Sequence, residues 1–540
     1  MTQSSAGNGP ASAGELPFDP EHDPKALLAF EPDYVRGLTS RLIATSGEVV
    51  TSFAPATGQP LADIPQSTIA DVEEAFARAR RAQEAWQQVS LDERSAILLR
   101  LHDIVLDRQD EIMDLICWES GKARKHAFDE PLHIALTARY YARTAHKHLD
   151  SERRSGVIPG LTHAEVNHVP KGIVGIISPW NYPFTMALCD GLPALLAGNA
   201  VVTKPDAQTM LSALLGAQLL DEAGFPPDLW NVVAGPGRVL GTPIIDRSDY
   251  ICFTGSTATG KHIAKQCADR LIGASLELGG KNPILILRDA DIEKAAEGAV
   301  RACFSNAGQL CVSTERMFIA DEVYDRFKER FVAHTKAMNL SAEIGWGSDM
   351  GSLISQDQLD TVTEHVNDAV AKGATVLAGG KPRPDLSPFY YEPTILEGVS
   401  PEMTCHSNET FGPVISLYRF QTEPEAIARA NEGEYGLNAS IYTKDAKRGR
   451  ELARQIKCGT VNVNEAFGAT FASIDAPMGG MRESGQGRRQ GSEGIHRYTE
   501  TQAVASQSVL RFSPQFGLND EQYAKVMTVS LRLMKKMGRA

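Results

Sequence analysis

The sequence has no Cys-x-x-Cys pair, and none of its eight cysteines, at 117, 189, 252, 267, 303, 311, 405 and 458, stands at zinc-ligand spacing from a histidine. That speaks against a structural metal, and fits a reducing compartment. No apolar stretch comes near the roughly eighteen residues of a membrane-spanning helix. Residues 1–24, rich in Gly, Ser, Ala, Pro and acids, lack the basic start and apolar run of a leader peptide. A cytoplasmic protein without metal or membrane is the expectation. Positive charge is also short. The formal net charge of −13 argues against nucleic acid as the main partner, because phosphate binding needs a basic surface. No solenoid repeat appears. The Gly-x-Gly-x-x-Gly dinucleotide fingerprint is missing too, since Gly235-Pro-Gly237-Arg-Val-Leu-Gly241 has one residue too many.

What is present is an ordinary globular composition, 42% apolar and 22% charged over 540 residues, too long for one core and enough for two large domains. Residues 24–46 read as a helix, and 49–64 as a hairpin turning at Thr57-Gly58. Apolar residues at helical spacing predict helices over 71–89, 92–110 and 110–120, stopped by Gly121, and over 130–149, where His146 and His148 are expected as a solvated pair. Residues 157–170 are β-like around Pro159-Gly160 and suggest a projecting hairpin arm.

From Gly172 strands (173–178, 200–204, 229–233, 250–254) alternate with helices (to about 196, and 209–223). This is βαβ grammar, with a mostly parallel sheet and ligands at the carboxyl ends of its strands. Those ends read Ser178-Pro-Trp-Asn-Tyr-Pro183, Lys204-Pro-Asp-Ala207 and Phe253-Thr-Gly-Ser-Thr-Ala-Thr-Gly260. After Gly280 a second series begins, with strands at 283–287, 316–320, 375–378, 414–420 and 459–464 and helices at 292–305, 322–338, 357–372, 424–432 and 447–458. It closes in a glycine-rich loop, 479–491. The fold class is α/β, with two doubly wound domains facing across a cleft.

Four features suggest chemistry. Cys311 follows Asn306-Ala-Gly308-Gln309, a small, turn-prone stretch that lets backbone pass close to a ligand, and it is the candidate nucleophile. A lone cysteine is more often merely small and buried, so its company matters. Glu277 lies between Leu276 and Leu278 and ahead of Gly279-Gly280-Lys281, a half-buried carboxylate suited to act as base on a water or on the thiol. Asn181, between two prolines, is a rigid amide donor of the kind an oxyanion hole uses, or else a turn asparagine. Gly255-Ser256, between a strand and a helix, fits phosphate binding at a helix N-terminus.

In order along the chain stand PWNYP, GNAVVTKP, FTGSTATG, LELGGKNP, GQLC, ETFGPV and APMGGMRESGQGRRQG. Over about residues 45–510 the sequence resembles the aldehyde dehydrogenase superfamily, and most of all its NADP-linked succinate-semialdehyde dehydrogenases. The resemblance implies catalysis by Cys311, Glu277 and Asn181. It implies cofactor contacts from Trp180, Lys204, Pro205, Asp206, Ala207, Gly255, Ser256, Leu278, Glu409 and Phe411, with Lys281 in support. It implies NADP as cofactor with NAD tolerated, and an aldehyde as substrate. It also implies a dinucleotide-binding domain (46–156 and 171–279), a catalytic domain (280–494), and an oligomerisation arm (157–170 with 495–510) that builds a homodimer or homotetramer. An extension (1–45) and a tail (511–540) fall outside this plan, and the end of the tail, 526–539, is expected to pack as a surface helix on its own oligomer. The arginines that family members use for the far carboxylate of succinate semialdehyde are missing: Cys189 and Asp190 occupy one region and Ser305 the other. Either Arg301 or Arg482 replaces them, or the substrate is a neutral aliphatic or aromatic aldehyde. A CoA-acylating enzyme is disfavoured by Glu277, and a non-catalytic binding protein by the intact Cys311, Glu277 and Asn181.

Overall fold

The computed structural model describes residues 30–156, 162–508 and 511–538. Most of the N-terminal extension and the turn at Pro159-Gly160 lie outside these. The predicted helix over 24–46 is shorter where described, Pro32–Thr39, and opens on a proline at its first turn. The hairpin forms from Val49–Ala54 and Gln59–Pro65. Helices Ile69–Trp86, Leu91–Asp107, Gln109–Ser120 and Asp129–Leu149 follow. Thr68 and Asp71 close a reciprocal capping box on the first, Ser90 caps the second, and Gly121, at φ 70°, ends the third. His146 is exposed, but His148 is buried against Tyr140, with His496 bonded to its carbonyl, so the two are not a solvated pair.

Two parallel sheets carry the chemistry. The first has six strands in the order Gly485–Gln486, Gly273–Glu277, Tyr250–Thr254, Ile173–Ile177, Ala200–Lys204, Trp230–Val232. The second has seven: Thr375–Ala378, Thr394–Glu397, Val414–Phe420, Thr314–Ala320, Asn282–Ile286, Asn438–Tyr442, Thr460–Val463. Only the first-named strand of each sheet runs antiparallel to its neighbour. Inner strands such as Ile173–Ile177, Asn282–Ile286 and Asn438–Tyr442 are buried at every position, as sheets covered by helices on both faces require. Each sheet has its own apolar core. The short strand Gly485–Gln486 comes from the glycine-rich loop that follows the second sheet, yet it pairs with the edge of the first, Gly485 opposite Glu277. That return ties the two halves together at a candidate catalytic residue.

A third sheet joins Glu152–Arg154, Thr162–Pro170 and Thr499–Gln507, with Thr499–Gln507 an exposed edge. Near the C-terminus, Asp520–Lys536 is a helix capped by Asn519, on which Val526, Val529, Leu531 and Leu533 are exposed.

Candidate active site

The nucleophile loop is built on consecutive left-handed residues. After helix Ile292–Phe304 the chain passes through Asn306 (φ 50°), Ala307 (φ 51°) and Gly308 (φ 72°). Non-glycine residues held there cost on the order of 1–3 kcal/mol each, so the surroundings must over-determine them. They do. The Asn306 N–H donates to His126 Nδ1 at 3.2 Å, and its amide donates to the Asn181 and Gln309 carbonyls, each at 3.1 Å. Gln309 Oε1 accepts the Ile354 N–H at 3.0 Å. A Cβ on Gly308 would lie 2.0 Å from the Gly412 carbonyl oxygen, so no other residue fits. Beyond the loop, the Asn282 amide donates to the carbonyls of Cys311 and Ser313 at 2.7 Å each, and the Asn438 amide to that of Val312 at 3.0 Å.

Cys311 is half-buried, whereas the other seven cysteines are buried. It lines a cavity of about 260 Å³ together with Asn181, Glu277, Gly255 and Ser256. Burial pushes its thiol up to about 12, Glu277 adds to the rise, and Arg489 opposes it. A thiol so placed has to lose its proton before it can attack. Glu277 can serve as a base near neutral pH: burial pushes its carboxyl up to about 7, with Arg489 opposing, and its buried Oε1 has no hydrogen-bond partner among the described residues. Asn181 donates one N–H to the Gln309 carbonyl at 3.0 Å, and its amide carries a second.

The remaining predicted residues divide. Trp180, Leu278, Glu409 and Phe411 share the cavity, the Trp180 and Phe411 rings meeting edge to face at 5.6 Å. Lys204, Pro205, Asp206 and Ala207 do not line it. Lys204 is buried and donates to the Pro205 carbonyl at 3.0 Å, while Asp206 accepts the Gln208 N–H at 3.0 Å across its own turn. Ser256 caps helix Thr257–Asp269 and so aims that helix's free N–H groups at the cavity. Gly279 leaves the room Glu409 occupies: a Cβ there would lie 2.4 Å from its carboxylate. Glu409 accepts the Gly280 N–H at 2.7 Å, and burial holds its carboxyl at about 8, with Glu315 adding to the rise. The buried Lys281–Glu315 ion pair supports this wall, Glu315 accepting the Thr410 and Phe411 N–H groups at 2.9 Å. A free helix N-terminus for phosphate, acidic and aromatic groups across from it, and small residues between are a donor set that fits a dinucleotide.

Arg489 also lines the cavity and carried no distinguishing signal in the sequence. It forms a bidentate pair with Asp190 at 2.9 and 2.8 Å, and Arg497 joins the same carboxylate at 2.7 Å. Met186, Phe471 and Met478 add an apolar wall. Arg482 does not reach the site, because its guanidinium is spent on the carbonyls of Asn431, Gly433 and Tyr435. Arg301 and Ser305 line a separate cavity of about 740 Å³, which also holds His126, the partner of Asn306.

Residues 42–504 match the model of the aldehyde dehydrogenase family. A Mycolicibacterium smegmatis protein provisionally named succinate-semialdehyde dehydrogenase (NADP+) is 51% identical over 481 residues, 89% of this chain and 93% of its own. The 3-sulfolactaldehyde dehydrogenase of Pseudomonas putida is 35% identical over 85% of this chain and 94% of its own. The NAD+ complex of a Bacillus cereus aldehyde dehydrogenase superposes with a TM-score of 0.83 at 32% identity, over 89% of this chain and 99% of that one. The chain belongs to the aldehyde dehydrogenase family.

Proposed function

We propose that the protein oxidises succinate semialdehyde to succinate with NADP+, tolerating NAD+. The observation that carries this reading is the single cavity shared by Cys311, Glu277, Asn181 and the N-terminus of helix Thr257–Asp269. Cys311 Sγ, its proton lost to solvent, bonds to the aldehyde carbon, and the Asn181 amide with the Cys311 N–H holds the oxyanion. A bound NADP+ would supply the hydride acceptor, and the Cys311 adduct that gives up the hydride becomes a thioester. Glu277 then takes a proton from the attacking water and returns it to the Cys311 sulfur as the C–S bond breaks and the acid departs. Trp180, Gly255, Ser256, Leu278, Glu409 and Phe411 hold the cofactor, with Lys204, Pro205, Asp206 and Ala207 at its adenosine end. The Asp206 carboxylate is engaged by its own turn, which leaves Lys204 to meet a 2′-phosphate.

For the substrate's far carboxylate the candidate cation is Arg301, which lines the separate cavity and not the one that holds Cys311. It stands in the larger cavity over the Phe467 ring at 5.5 Å, with no ion pair among the described residues. Two of the relatives named above carry names for anionic short aldehydes, succinate semialdehyde and 3-sulfolactaldehyde. A second reading, a neutral aliphatic or aromatic aldehyde, is favoured by the apolar wall of Met186, Phe471 and Met478. NADPH formation over an aldehyde panel decides: kcat/KM highest for succinate semialdehyde supports the first, and a preference for butanal or benzaldehyde refutes it while keeping the dehydrogenase.

The division into dinucleotide-binding, catalytic and arm domains given above belongs to the same proposal, as does a homodimer or homotetramer in the cytoplasm. The exposed nine-residue edge Thr499–Gln507 supports the oligomer, since an open edge of that length invites pairing.

A further inference from the structure

Behind the catalytic carboxylate lies a buried cluster of charges that does not balance. Asp190, Arg489 and Arg497 are all buried, and the one carboxylate receives both guanidinium groups. Two cations against one anion leave one net positive charge. Arginine does not shed its proton to remove it. The groups of Arg489 are unequally committed. Its Nε and Nη2 are held by Asp190, and Nη2 also reaches Thr254 Oγ1. Its Nη1 meets the Met186 sulfur at 3.3 Å, a weak acceptor for a buried cationic donor. In the same cavity Glu277 Oε1 is a buried acceptor with no partner among the described residues. An under-used cationic donor and an orphaned acceptor thus share one small space.

We propose that Arg489 is a positioning residue for Glu277: its guanidinium, oriented by Asp190, keeps that carboxylate charged and available as the base. The charged groups around Glu277 are Arg488, Arg489 and Arg497, which favour its carboxylate, and Asp190, which disfavours it. Cys311 faces it as a neutral thiol. During thioester hydrolysis Glu277 accepts a proton from the attacking water and becomes neutral, then returns the proton to the departing thiolate. Arg489 exchanges no proton. Its part is to lower the pH at which Glu277 ionises, so that a larger share of sites holds the carboxylate when hydrolysis begins.

This rests on Glu277 being the hydrolytic base, and the test separates the two ideas. Hydrolysis of the acyl-enzyme formed from p-nitrophenyl acetate, which acylates a thiol without cofactor or aldehyde, is followed in single turnover against pH with the full chain. Arg489→Gln should move the acidic limb up by about one pH unit, so that the rate below it falls about tenfold while the rate well above it is nearly kept. Arg489→Lys should fall between, since it keeps the charge and loses the fork. Asp190→Asn, which removes the opposing charge, should move the limb down. A rate lowered equally at every pH in Arg489→Gln, or limbs that move the same way in Arg489→Gln and Asp190→Asn, would mean a packing role only and overturn the proposal. If Arg489→Gln does not fold, the Arg489→Lys and Asp190→Asn pair still decides it by the sign of the shift. An acidic limb that survives in Glu277→Gln would instead sink the assignment of Glu277 as base.

Discussion

The two walls of the cavity reach their shapes by opposite means. The wall from the first sheet is made of small residues and a helix end: Gly255, Ser256 and the N–H groups of helix Thr257–Asp269, left open toward the cavity. The wall from the second sheet is held almost everywhere. The amides of Asn282, Asn306 and Asn438 take the carbonyls of the nucleophile loop, and Glu315, paired with Lys281, takes the N–H groups of Thr410 and Phe411. The first wall keeps donors unsatisfied so that a ligand can use them. The second spends its donors on itself, because a nucleophile misplaced by about 1 Å can lose on the order of a hundredfold in rate. Binding should therefore be sensitive to changes in the first wall, and turnover to changes in the second.

The sharpest break in this comparison is at the sulfur. Cys311→Ala should reduce dehydrogenase activity to background, whereas Cys303→Ala, eight residues earlier on the buried helix, should keep most activity and cost about 1 kcal/mol of stability. Iodoacetamide labelling should follow the same order, because Cys303 is buried and its thiol pushed well above the usual range by that burial. Loss of activity in the Cys303 variant alone would move the site.

Next in size is Glu277→Gln, which should lower steady-state turnover by about 10²–10⁴-fold while leaving a single burst of NADPH per site. The wild-type rate should rise with pH through about 7, where the buried carboxyl ionises. In the proposed mechanism the carboxylate is the active base, so acid removes it; the Gln variant should lose that limb. A variant with no burst would place Glu277 in the acylation step, drawing the proton from Cys311.

The support beneath the second wall gives a smaller, structural effect. Lys281→Met leaves Glu315 buried without its cation, and the predicted loss is about 3–5 kcal/mol, read as a lower Tm. The double change Lys281→Met with Glu315→Gln should recover part of it. A single variant as stable as the parent would show that the pair does not hold the 409–411 turn.

Much of this was legible in the sequence because the chemistry is written locally. Cys311, Glu277 and Asn181 each sit in a short run whose turns and flanking leucines or prolines announce a special backbone, and the alternation after Gly172 gives the parallel sheets. What was missed is not local. Asp190 and Arg489 are 299 residues apart. The first reads only as an absent arginine, and the second is one of three arginines in the glycine-rich loop 479–491, with no periodicity to link them. Strands Thr394–Glu397 and Asn438–Tyr442 escaped because short strands buried on both faces show no alternation. The pairing of Gly485 with Glu277 follows from a chain return that only the fold reveals. Arg482 was misread for the same reason: its sequence neighbours do not show the three carbonyls that consume it.

The mildest change tests the first wall. Ala207 begins the short turn Ala207–Thr209 after the strand that ends at Lys204, half-buried and beside the adenosine end assigned above. A glutamate there would accept both hydroxyls of an unphosphorylated ribose and would repel a 2′-phosphate. Asp206, one residue earlier, does not already do this, because its carboxylate accepts the Gln208 N–H at 3.0 Å. Ala207→Glu should thus raise the KM for NADP about tenfold, on the order of one lost charge-assisted hydrogen bond of ~1.5 kcal/mol, and leave the KM for NAD nearly unchanged. Because the second wall is untouched, kcat with NAD should stay at the parent value. Equal losses for both cofactors would mean that the turn tolerates no larger side chain. An unchanged NADP preference would place the phosphate away from residue 207, with Arg238 at the exposed start of helix Gly237–Arg247 the next cation to change.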